Sequence, residues 1–86
     1  MNEILARITV NCACFFEMAD EDIIDSGHAL QQLEEMKWHL QKLSAEEKAE
    51  LVGLIGAFRE QIPPGAKSEE QRRCMDNLPL ALGLIA

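Results

Sequence analysis

Ser44-Ala45-Glu46-Glu47 stands where one helical period ends and another begins, and it constrains this chain more than any other feature. The Ser44 hydroxyl is spaced to accept from the amide of residue 47, and the Glu47 carboxylate to reach back to the amide of residue 44. Before it, Ala29, Leu33, Met36, Leu40 and Leu43 step by 4, 3, 4, 3, the seam of an amphipathic helix over His28–Leu43. After it, Leu51, Leu54, Ile55, Phe58 and Ile62 line one face of a helix that runs to about Gln61. With almost no loop between them, the two helices are expected to form an antiparallel hairpin.

The flanking segments extend the pattern. Ile4, Leu5, Ile8, Cys12, Phe15, Phe16 and Ala19 recur at helical spacing, which predicts a first helix over Ile4–Ala19 with this stripe inward and Asn2 as its cap. Ile8, Val10, Cys12 and Cys14 also alternate as a strand would, but the length of the segment favours helix. Pro63-Pro64-Gly65 stops the third helix. Ser68-Glu69-Glu70-Gln71 reads as a second capping box. It opens a short fourth helix, about Glu69–Asn77, with Cys74 and Met75 near Leu78 as contacts and Pro79 at its end. Ile23, Ile24 and the apolar tail Leu80, Leu82, Leu84, Ile85 are expected to dock on the core, or in the tail's case on a second subunit. Gly53 and Gly56 are read as points of close approach to a neighbouring helix. Arg72 and Arg73 lie on an exposed face, within helical reach of Glu69 or Asp76. The fold class is thus all-α: one domain over residues 1–86, a small, mainly antiparallel bundle of about four helices with the last one short.

Eighty-six residues bury only about 60–65% of the unfolded surface, so a partner or an oligomer would add to a modest stability. The formal net charge is −7, the wrong sign for direct nucleic-acid binding. Residues 1–25 carry six acids and one base, residues 26–62 six and four, and residues 63–86 three of each, so the acidity belongs to the first quarter. Three cysteines, Cys12, Cys14 and Cys74, fit a reducing compartment better than a disulfide framework. Glu3, Arg7 and Asn11 interrupt the N-terminal apolar stretch, which lacks a basic flank and reads as no signal peptide. The longest apolar run, Leu80–Ala86, is far too short to span a bilayer. A cytoplasmic chain without membrane contact is expected.

The spacing offers little chemistry. Cys12 and Cys14 are about 200° apart on a helix and do not chelate one ion, while His28 and His39 share a face but are about 16 Å apart along it. No Ser-His-Asp, Cys-His or Gly-rich phosphate pattern is present, so no catalytic residue, metal or cofactor is expected. Glu17, Asp20, Glu21, Asp22 and Asp25 place five carboxylates in nine residues with no base among them. A calcium loop starting at Asp20 fails, because Ile24 and Asp25 fall where a ligand and a glycine are needed. The alternatives are a solvated turn and a surface for a basic partner. Trp38, off the seam of its helix, is either an apolar anchor of such an interface or a cover for the core edge and the fourth helix.

The run Phe16-Glu17-Met18-Ala19-Asp20-Glu21-Asp22-Ile23-Ile24-Asp25, leading through Ala29-Leu30, Leu33-Glu34 and Leu43-Ser44-Ala45-Glu46-Glu47 to Leu78-Pro79-Leu80-Ala81-Leu82-Gly83-Leu84, is similar in layout to small bacterial helical proteins. It resembles the acidic immunity proteins that neutralise polymorphic or contact-dependent toxins. Those proteins share no common fold, so no residue role carries over. The resemblance implies a non-enzymatic inhibitor that occludes the positively charged groove of a basic, nuclease-like toxin. The expected contact set is Glu17, Asp20, Glu21, Asp22 and Asp25 with Trp38. The alternative is a structural or regulatory module that homo-oligomerises through its tail and third helix. A mimic of nucleic acid would need its carboxylates spread along a face.

Overall fold

The computed structural model describes residues 1–85, apart from the side chains of residues 66 and 67; Ala86, the end of the expected apolar tail, lies outside the described residues. Four helices make up the all-α fold: α1 (Glu3–Met18), α2 (Ser26–Leu40), α3 (Ala45–Glu60) and α4 (Ala66–Ala81). Three begin on the side-chain caps that such sequences favour. Asn2 Oδ1 accepts from the amides of Ile4 and Leu5, at 2.9 and 3.1 Å. Asp25 Oδ2 accepts from the amide of His28 at 3.2 Å. Both bonds of the expected capping box form: the Glu47 amide donates to Ser44 Oγ at 3.1 Å and the Ser44 amide to Glu47 Oε1 at 3.0 Å.

The core is a cluster of Val10 and Ala13 from α1, Leu51, Ile55 and Phe58 from α3, and Met75 and Leu78 from α4, closed by Leu82 and Leu84 beyond the last helix. α1 is its axis and packs against each of the other three helices, while α3 packs also on α4. The expected hairpin is corrected here. The turn between α2 and α3 is as short as its capping box requires, but α2 makes its main helix contact with α1, and Ala29 is its one fully buried residue.

The face that α1 turns inward is also the opposite of the expected one. Ala6, Val10, Ala13 and Cys14 are buried, whereas Ile4, Leu5, Ile8, Cys12 and Phe15 are exposed and only Phe16 and Ala19 of the expected stripe are half-buried. At about 100° per residue the two sets lie on opposite sides of the helix. A helix that takes neighbours on several sides needs small residues where their backbones approach, and α1 has those on the alanine-bearing side.

α4 is longer than expected, sixteen residues, and differs at both ends. It starts at Ala66, directly after Gly65, whose φ of 154° is a glycine conformation. The expected box at Ser68 therefore falls inside the helix. Arg72 reaches back instead, donating to the carbonyl of Pro63 at 3.0 Å and to Glu69 at 3.0 Å. Asp76 pairs across to Arg59 of α3, whose Nε donates at 2.6 Å.

At the far end the helix continues through Pro79, because proline's φ is itself helical and the flanking Leu78 and Leu82 are wholly buried, which holds the turn in place. Gly83 then takes a φ of 69°, the Gly83 amide donates to the Leu80 carbonyl and the Leu84 amide to that of Pro79, a Schellman closure. Gln41 Nε2, just after α2, donates to the carbonyls of Leu82 and Gly83 at 3.3 and 2.9 Å. The tail thus docks through Leu82 and Leu84, while Leu80 and Ile85 stay exposed.

A methyl group on Gly53 or Gly56 would meet nothing within 4 Å, so neither marks a close helix approach as expected. On Gly83 it would lie 2.5 Å from Gln41 Nε2 in a conformation L-residues avoid. By chemical denaturation Gly53→Ala and Gly56→Ala are each expected to stabilise by up to about 1 kcal/mol, and Gly83→Ala to destabilise by at least about 1 kcal/mol. Ser44→Ala is expected to cost about 1 kcal/mol. The other half of the box titrates: the Ser44 backbone amide, and its hydroxyl, hold the Glu47 carboxyl below its ordinary range, so that carboxylate's stabilising effect is present at neutral pH and is lost as pH falls below the ordinary Glu value of about 4.3. A Glu47→Gln variant should flatten that part of the acid-unfolding curve.

Candidate functional site

The acidic residues gather where α1 ends and α2 begins. The last turn of α1 holds no basic residue, so its negative pole is uncompensated by its own helix. Glu17 lies on that turn. The carbonyl of Asp20 accepts from the amides of Ile23 and Ile24, both at 3.1 Å, and Asp20 Oδ1 accepts from the amide of Asp22 at 3.1 Å. This is an Asx-type turn, which aspartate supports because its short carboxylate reaches a backbone amide two residues on. Asp25 caps α2 and lies 3.6 Å from His28 Nδ1.

The five carboxylates therefore divide by role. Asp20 and Asp25 hold the local backbone. The Glu17, Glu21 and Asp22 carboxylates are exposed and make no hydrogen bond or ion pair among the described residues. Ile23 sits among them, 66% exposed, where the sequence led us to expect an isoleucine folded onto the core. Seven residues, Ala19 to Asp25, carry the chain from α1 to α2, and the carbonyl of Asp20 accepts from the Ile23 amide within that turn; Ile24, next in line, is the half-buried one. Beside the turn runs an open groove of about 470 Å³, walled by Phe15, Met18, Ala19 and Ile23 with Asn11, Cys14 and Gln71.

Trp38 does not join this site. It lies thirteen residues beyond Asp25 near the other end of α2, about 20 Å along the helix. It is 62% exposed and is not one of the half-buried apolar residues packed on the core. The Lys42 ammonium stands 3.8 Å over its ring and the His39 ring meets it edge-on, with centroids 5.0 Å apart.

Two of the three cysteines meet, which their spacing in the chain could not show. The Cys14 side chain of α1 and the Cys74 side chain of α4 lie beside one another where these helices pack, Cys14 buried and Cys74 half-buried. The neighbouring Cys14 side chain, burial and the nearby Glu17 and Glu70 carboxylates push the Cys74 thiol up, so it stays protonated and unreactive. Cys12 faces outward. Among the described residues no three carboxylate, histidine or cysteine side chains converge as a cation cage, and no helix is long and apolar enough to cross a membrane.

Ile23 and the groove wall were not among the residues expected from sequence to meet a partner; Ile23, Phe15 and Ala19 were expected in the core. For the α1 part of the wall, Phe15 and Met18, the signal was the count of large apolar residues in the first nineteen, which exceeds what one buried helix face can hold.

The division of roles is testable by thermal melts. Asp25→Ala should destabilise by about 1 kcal/mol through loss of the cap, whereas Glu21→Gln and Asp22→Asn should stay within about 0.5 kcal/mol of the parent. Comparison with family models, with curated proteins and with solved structures found no match, so the chain's own residues carry the functional argument.

Proposed function

We propose that this chain is a non-enzymatic, cytoplasmic binding protein of the immunity type, which inhibits a basic, nuclease-like toxin by direct contact and uses no cofactor. The observation that carries the proposal is the set of unpartnered carboxylates, Glu17, Glu21 and Asp22, around the exposed Ile23 at the negative pole of α1. Carboxylates so placed repel one another and the helix end, and a cationic surface relieves both. An apolar side chain ringed by charge is also the usual build of a small recognition patch, with an anchor at the centre and a polar rim that steers encounter. Asp20 and Asp25 contribute field to the surface while they hold its shape. Trp38 stands outside this contact set.

Charge steering acts on the association rate and is screened by salt. The test is capture of a basic partner on the tagged protein, then association kinetics of the pair at low and high salt. The triple variant Glu17→Gln, Glu21→Gln, Asp22→Asn should associate at least about tenfold more slowly at low salt, with an unchanged melting temperature. Parent-like association by that variant would remove the acidic turn from the interface. Ile23→Ala should act on dissociation instead, raising its rate with little effect on association.

A further inference from the structure

The outward face of α1 carries a pattern that the acidic turn does not explain. Ile4, Ile8, Asn11, Phe15 and Met18 step by 4, 3, 4, 3, the spacing of a helix-pairing seam. Ile4 is 73% exposed, Ile8 53% and Phe15 50%. No charged residue lies on the seam. Its one polar member, Asn11, is central, and its side chain makes no hydrogen bond among the described residues. Two open grooves flank this ridge and share Asn11. The smaller, about 240 Å³, is bordered by Ile4, Ile8 and Phe58, and the larger, about 470 Å³, by Phe15, Met18 and Ile23. One groove borders the N-terminal half of the ridge and the other its C-terminal half, so a two-fold axis through Asn11 sets each groove beside the opposite half of a second copy's ridge.

We infer that a second copy of this chain docks here, α1 against α1, antiparallel, with the two Asn11 side chains meeting near the dyad. Antiparallel order follows from charge. Arg7 lies in the N-terminal half of α1, and Glu17 with the acidic turn lies at its C-terminal end. A parallel pair would stack the two acidic turns, whereas the antiparallel pair holds them at opposite ends. It also sets Ile4 of one copy near Met18 of the other, and Ile8 near Phe15. A central asparagine suits this site because two amides at a dyad pair with each other and penalise other registers.

The area sets the strength. With Leu5 and Cys12 at its edge, the face exposes roughly 500 Å² of apolar side chain per copy, so a pair covers about 1,000 Å², the lower bound for a specific interface. The dimer is therefore weak and reversible. It goes beyond the proposed toxin binding and leaves Glu21 and Asp22 of both copies outside the seam.

The test is sedimentation equilibrium of the full chain from about 1 μM to about 1 mM, at low and at high salt. The expected result is a concentration-dependent doubling of mass that tightens with salt, because like-charged copies repel less when screened. Binding to a basic partner weakens with salt, so the two ideas fail separately. Ile8→Glu and Phe15→Glu, both at exposed positions, should each weaken dimerisation at least about tenfold with unchanged helical circular dichroism. Asn11→Asp, which brings two carboxylates together at the dyad, should weaken it as well, whereas Ile85→Glu on the tail should not. A monomer across the whole range would overturn the inference. So would a dimer that survives Ile8→Glu and Phe15→Glu at parent strength, or one lost only on Ile85→Glu.

Discussion

The fold depends on the small inward face of α1. Ala6, Val10, Ala13 and Cys14 let three other helices gather on one, and the wholly buried Val10 sits among Leu78 and Leu82 at the centre of the cluster. Larger residues on that face would hold α3 and α4 away, and interiors packed at crystal-like density tolerate few such gaps. The same choice has a cost on the other side of the helix. With the alanines inside, Ile4, Ile8 and Phe15 are turned to water. Both surfaces on which the functional argument rests begin from this orientation: the outward seam directly, and the acidic turn because it continues the end of α1.

Polar chemistry then fixes the ends of the helices around that axis. Among the described residues no polar or charged residue is buried, so hydrogen-bonding side chains act as caps and ties at the surface. Asn2, Asp25 and Ser44 start three helices. Gln41 and Gly83 finish the fourth. Arg7 ties α1 to the end of α3, its guanidinium 4.3 Å above the Phe58 ring and donating to Gln61 at 2.6 Å. Each exposed tie contributes little alone. Together they set the angles at which the short loops enter the core. α2, held mainly by one neighbour and with a single fully buried residue, has the fewest apolar contacts to lose and is the helix expected to open first.

The acidic turn illustrates how structure sorts residues that look alike in sequence. Five carboxylates in nine positions read as one patch. In the fold, two of them satisfy backbone amides and three face solvent, so removing charge and removing structure become separable experiments. Ile23 stands exposed beside the free carboxylates because the chain turns on the Asp20 carbonyl there. Trp38, the more conspicuous residue by type, is placed elsewhere by the length of α2 and is engaged by Lys42 and His39.

Much of this protein was legible in its residues because the signals were local. The number of helices, the Asn2 and Ser44 caps, the inward seams of α2 and α3, and the Met75–Leu78 contact of α4 each follow from interactions within a few residues of one another. Where the signals were not local, the sequence misled. Periodicity locates apolar sectors but does not rank them, and α1 has two, so the larger side chains were assigned to the core that the smaller ones fill. A serine followed by acids matches a capping box at Ser68 as well as at Ser44, but the Gly65 backbone had already begun the helix. Proline at 79 breaks an isolated helix, while two buried leucines one turn apart hold it here. The sequence by itself determined that this chain is four helices with an acidic joint between the first two. The tertiary structure decided which face of α1 is the inside, because only packing against three neighbours at once makes a small residue worth more than a large one.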